Sequence, residues 1–175
     1  MKIRDLKDTE YKCIRAQIGQ QDQACLTLVG ILLASSTAVY GLAIEKGAYS
    51  LLPILSILWV VGFLYICEKR FAIRRSALYL REVVESKESG LYWQTWLKEN
   101  ENDGRFLRFS PLRLEYTLLL LVNITNVYLT GISLSDSNNK AYHASYAVIS
   151  CLMLVLSLLI YFKIVRRYYH DARNA

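Results

Sequence analysis

The chain has 175 residues, 54% of them hydrophobic and 21% charged, with a formal net charge of +6. That much charge beside that much apolar surface requires the two to be segregated along the chain. The basic excess follows a membrane-topology pattern, so the high isoelectric point alone is no sign of nucleic-acid binding.

Residues 1–23 form a polar start followed by a predicted cytoplasmic helix, "DTEYKCIRAQIGQQDQ", with Asp8 or Thr9 as its cap. Tyr11, Ile14 and Ile18 share one face. No proline separates this stretch from the first apolar run, so one long helix is expected. The run begins past residue 20, follows four acids and is too long for a signal peptide's apolar region.

Four stretches contain no Asp, Glu, Lys or Arg: Leu26–Ile44, Leu51–Cys67, Tyr116–Ser135 and Ala141–Phe162. Each approaches the roughly 20 residues that a helix needs to cross a ~30 Å hydrocarbon layer. Soluble helices alternate polar and apolar faces, and these do not. Pro53 falls in the first turn of the second, where a helix tolerates it. The predicted fold is an all-α integral membrane protein of four transmembrane helices with cytoplasmic helical extensions. Residues 24–67 make transmembrane hairpin 1, residues 116–164 make transmembrane hairpin 2, and 165–175 form a tail.

Orientation follows from Lys and Arg. Five precede the first span, ten lie between spans two and three, and four follow the last. The connections "EKGAYS" and "DSNNKAYHA" hold only Lys46 and Lys140. This split of nineteen to two places both termini and the central segment in the cytoplasm.

In the first span, Gly30, Ala34, Ala38 and Gly41 form a strip of small residues, which lets another helix approach closely. Residues 68–115 form the central cytoplasmic segment. Ile73, Ala77, Leu80 and Val84 repeat at helical spacing, with Arg70, Arg74 and Arg81 on another face. Trp93 and Trp96, three residues apart, could pack on the neighbouring helices, anchor at the interface or stack a base. Arg70, Arg74, Arg75, Arg81, Trp93, Trp96, Arg105 and Arg108 are therefore the candidates for an anionic ligand such as a nucleotide or oligonucleotide. Lipid headgroups and salt bridges with Glu82, Glu85 and Glu88 are the simpler use of the same arginines.

The third span carries the sharpest anomaly. Within "LLLLVNITNVYLTGISL", Asn123, Asn126, Thr130 and Ser133 fall on one narrow face. Such a stripe must face protein or water. It either bonds neighbouring helices at ~0.6–2 kcal/mol per bond or lines an aqueous pore. Four helices of this length cannot enclose a wide channel, so a pore lined in this way would need several copies about an axis, a tetramer being favoured.

Enzyme chemistry finds little to stand on. There is no GxSxG, no DxxxD at a span, no CxxC and no phosphate-cradling glycine loop, and the two histidines, His143 and His170, lie in a loop and the tail. Glu45 and Glu115 sit only at span edges, which speaks against proton-coupled transport. No residue set for a metal or cofactor is evident.

The order of a cytoplasmic "IRAQIGQQDQACLTLVG", two spans, "RSALYLREVVES…GLYWQTWL" and two further spans resembles small bacterial four-span membrane effectors of anti-phage defence systems. These include the Hailong-type pore-forming effector and the Kiwa-type membrane subunit. The first resemblance implies a homotetrameric inner-membrane channel held shut by an oligonucleotide. The second implies a membrane sensor that docks a cytoplasmic, nucleic-acid-binding partner. Pattern carries the resemblance, not a motif, so it assigns no residues.

Overall fold

The computed structural model describes residues 3–84, 111–136 and 140–165. Every described residue outside 47–50 is helical. The helices are α1 (Ile3–Lys46), α2 (Leu51–Tyr79), α3 (Pro111–Asp136) and α4 (Lys140–Ile160). Short π-helical turns follow α2 at Leu80–Val84 and α4 at Tyr161–Val165.

Local sequence accounts for the ends. Gly47 stops α1 with φ at 67°, a left-handed conformation that a side chain would disfavour. The Ala48 N–H then donates to the Leu42 carbonyl at 3.3 Å, satisfying a group the helix end leaves free. Pro111 opens α3, where its missing N–H has no helical acceptor to lose. Pro53 is the third residue of α2 and lies in its first turn, as expected.

Among the described residues, four helices are long and apolar enough to cross a membrane, over Asp8–Lys46, Leu51–Tyr79, Pro111–Ser135 and Tyr142–Ile164. The chain divides into two compact units. Unit 1 comprises Met1–Leu26 and Glu68–Ser110, and unit 2 comprises Thr27–Cys67 and Pro111–Ala175. α1 and α2 each run through the boundary between units without a break.

Within unit 1, the first part of α1 and the last part of α2 run antiparallel. Asp22 pairs with Arg70, and Tyr79 donates its hydroxyl to Glu10 Oε1 at 2.7 Å. Arg70 is buried, although the sequence pattern grouped it with Arg74 and Arg81 as a candidate for an anionic ligand. Leu80, from the expected apolar face, is fully buried.

Within unit 2, α2 is the central helix. Its most apolar window is 56% buried, against 17% in α1 and α4. Trp59, Val60, Phe63, Leu112, Tyr116, Leu119, Val122 and Ile160 belong to one apolar cluster. Gly62 lets α1 come close, because a Cβ there would lie 2.8 Å from Leu32 Cδ1. Gly30, Ala34 and Ala38 are exposed, and nothing lies within 4 Å of the position a Cβ would take on Gly30 or Gly41. The small-residue strip therefore has no helix of this chain, among the described residues, closing on it.

Candidate functional site

The site is the buried face of α3. Asn123 and Asn126 are fully buried, Thr130 is 1% exposed and Ser133 is 3% exposed. The stripe read from the sequence thus turns into the interior of unit 2.

Each amide reaches a different neighbour. Asn126 Nδ2 donates to Ser56 Oγ at 2.7 Å and to the Leu52 carbonyl at 3.2 Å, both on α2. Asn123 Nδ2 donates to its own helix at the Leu119 carbonyl, 2.9 Å away, and to Ser157 Oγ on α4 at 3.3 Å. Thr130 Oγ1 donates to the Asn126 carbonyl at 2.8 Å, so its hydroxyl is satisfied by its own helix. Ser133 Oγ bonds His143 Nδ1 near the start of α4. Tyr49 and Tyr146 meet that histidine ring edge-on, with centroids 6.3 and 5.9 Å away.

The two α3–α4 bonds set the register. Asn123 pairs with Ser157 and Ser133 with His143, so the helices run antiparallel. Ser150 then falls between these levels on α4, as Asn126 and Thr130 do on α3. Ser150 is fully buried.

Three oxygens at these levels have no hydrogen-bond partner among the described residues: Asn123 Oδ1, Asn126 Oδ1 and Ser150 Oγ. Exchanging amide nitrogen and oxygen does not resolve this. Each Nδ2 donates to a backbone carbonyl, which can only accept, so the reversed amide would set two acceptors against each other. An unpartnered buried acceptor costs ~1–3 kcal/mol.

Toward the Pro111 end the same face changes character. Leu119 is fully buried, and Val122, Tyr116 and Leu112 are nearly so. Phe63 packs against Tyr116 with centroids 5.8 Å apart, and Tyr161 stacks on Tyr116 at 5.0 Å. Glu115, expected at a span edge, is 4% exposed.

Sequence reasoning missed the partners of the asparagines. Ser56 and Ser157 were visible as hydroxyls inside charge-free stretches, as was Ser150, two helical turns before Ser157. Ser36 was missed as well; it accepts from Trp59 Nε1 at 2.7 Å.

The anionic-ligand candidates are only partly brought together. Arg70 is held by Asp22, Arg74 and Arg81 are half-buried, and Arg75 is exposed. Trp93, Trp96, Arg105 and Arg108 lie outside the described residues.

Comparison with protein-family models, with curated proteins and with solved structures found no match to this chain. Among the described residues the fold is all-helical, with four helices long and apolar enough to cross a membrane and a polar seam inside unit 2.

Proposed function

We propose that the protein is a pore-forming or membrane-permeabilising effector that assembles from several copies and is gated through the helices of unit 1. The unpaired amide oxygens of Asn123 and Asn126 carry this reading. If the asparagines served only to tie helices together, serine or a small residue would do so without two orphan acceptors. An amide whose oxygen meets water satisfies both ends and marks a route through the bundle.

A second reading has its own support. The amide N–H groups already bond within the chain, so they need no axis between copies to be satisfied. A non-conducting membrane sensor or scaffold that recruits a cytoplasmic partner fits that arrangement. On either reading we propose a role in bacterial defence at the inner membrane, for which the order of charged and apolar segments in the sequence is the support. An oligonucleotide or a defence protein would then be the regulator bound by the basic residues.

Current recording on purified protein in a planar bilayer separates the two. Under the pore reading the wild type conducts, and Asn126→Leu lowers conductance while the oligomer survives in native mass measurements. Under the scaffold reading no current flows, and the same substitution loosens the fold. If Asn126→Leu alters neither current nor assembly, the seam has neither role.

A further inference from the structure

We propose that conduction, on the reading above, runs inside each chain rather than along an axis between copies. Water enters unit 2 from the end carrying residues 47–50 and stops at an apolar closure built from Leu119, Phe63 and Tyr116.

Two observations meet here. The first is a set of unpartnered oxygens. Asn123 Oδ1, Asn126 Oδ1 and Ser150 Oγ are buried without protein partners and lie at successive levels of the α3–α4 pair. The two amide oxygens need a hydrogen-bond donor, the Ser150 hydroxyl can give or accept a bond, and water serves all three at this depth. No carboxylate lines this stretch of α3, so a bare cation would lose its hydration without a countercharge. That favours water as the resting occupant.

The second is the change of character along α3. The polar positions from Ser133 to Asn123 cover ten residues, or ~15 Å at ~1.5 Å per residue, about half of a ~30 Å hydrocarbon layer. Below Asn123 the buried positions become Leu119 and Tyr116, covered by Phe63. An apolar constriction of this kind holds back ions by excluding water and opens when its side chains part. The outer mouth is framed by Ser133, His143 and Tyr49. The chain thus presents a hydrated blind half-path and a dry stop in series.

Silver-ion protection of single cysteines tests this. Ag+ is near a hydrated pore's smallest permeant in size and blocks thiols only where water carries it. Thr130→Cys, Asn126→Cys and Leu119→Cys are each placed in the full chain, reconstituted in liposomes and exposed to Ag+. After denaturation, residual thiols are alkylated and read peptide by peptide. Native Cys67, 3% exposed in unit 2, is the internal control. We expect Cys at 130 and 126 to be blocked at least about tenfold faster than Cys67 or Cys at 119. Equal rates at all four overturn the proposal, whether all are fast or all slow. Should Asn126→Cys fail to fold, Thr130→Cys decides alone, because Thr130 bonds only its own helix backbone.

Bilayer current separates this inference from the functional reading beneath it. Protection at 130 and 126 without current in any condition keeps the hydrated half-path and rejects the pore. Current with no protection at 130 or 126 keeps the pore and rejects a path inside the chain.

Discussion

The two halves of α3 carry the same kind of helix and bury opposite kinds of side chain. From Asn123 to Ser133 the buried positions are amides and hydroxyls; from Leu112 to Val122 they are mostly leucine, valine and tyrosine. Helix formation does not distinguish them, because backbone bonding within the helix is independent of side-chain polarity in a bilayer. The partners do. Ser56 on α2 and Ser157 on α4 face the polar half, and Phe63 and Tyr161 face the apolar half. Polarity inside this unit is therefore arranged by level across three helices.

The largest effect is expected where the two halves meet. Trp59 is 1% exposed and bonds Ser36 across the helix pair. Trp59→Ala should cost ~3–5 kcal/mol and collapse both halves, seen as loss of a monodisperse peak and a large drop in Tm. Trp59→Phe should keep most of the packing and lose ~1 kcal/mol through the missing N–H donor.

A charge placed at each level sharpens the comparison. On an insertion scale, Asp at mid-helix costs ~2.5–3.5 kcal/mol. Leu119→Asp should bear that in full and fail to accumulate in membranes. Asn126→Asp should still accumulate in membranes if water reaches that level, with a lowered Tm because a carboxylate cannot donate to the Leu52 carbonyl. Equal failure of both would erase the distinction between the halves.

Asp22→Ala addresses unit 1, where Arg70 is buried and Asp22 is about half exposed. Leaving Arg70 without this carboxylate should destabilise the helix pair by ~1–3 kcal/mol, below the full cost for a wholly buried pair. Hydrogen exchange of the Glu68–Tyr79 amides should rise while those of α3 stay protected.

The smallest effect belongs to Lys12→Ala. Its pair with Asp8 is exposed and one helical turn long. The loss should be ~0.3–0.5 kcal/mol and vanish at high salt, as a denaturation series at two ionic strengths would show.

Much of this fold was legible in the sequence because lipid imposes coarse rules. Charge-free runs of spanning length gave the four helices, and the missing breaker near Gln23 gave the unbroken α1. The stripe on α3 was legible too, since four polar residues at helical spacing must turn from lipid. Its direction was not. Whether such a face meets another helix of the chain or an axis between copies depends on which helices are neighbours, and span lengths carry no such information. Arg70 shows the same limit. Only the antiparallel pairing of α1 and α2 brings Asp22, 48 positions away in the chain, beside it.

The four-residue connection at 47–50 has a consequence for biogenesis. With Gly47 turning the chain at once and Leu51 already helical, α1 and α2 have no slack to enter the bilayer separately. As the ribosome delivers α2, the α1 span must wait beside it or slide in with it as a hairpin. Ser36 and Trp59 would then find each other before α3 is synthesised; Asn126 would arrive against a surface whose Ser56 hydroxyl is already in place, and Asn123 would wait for Ser157 on α4.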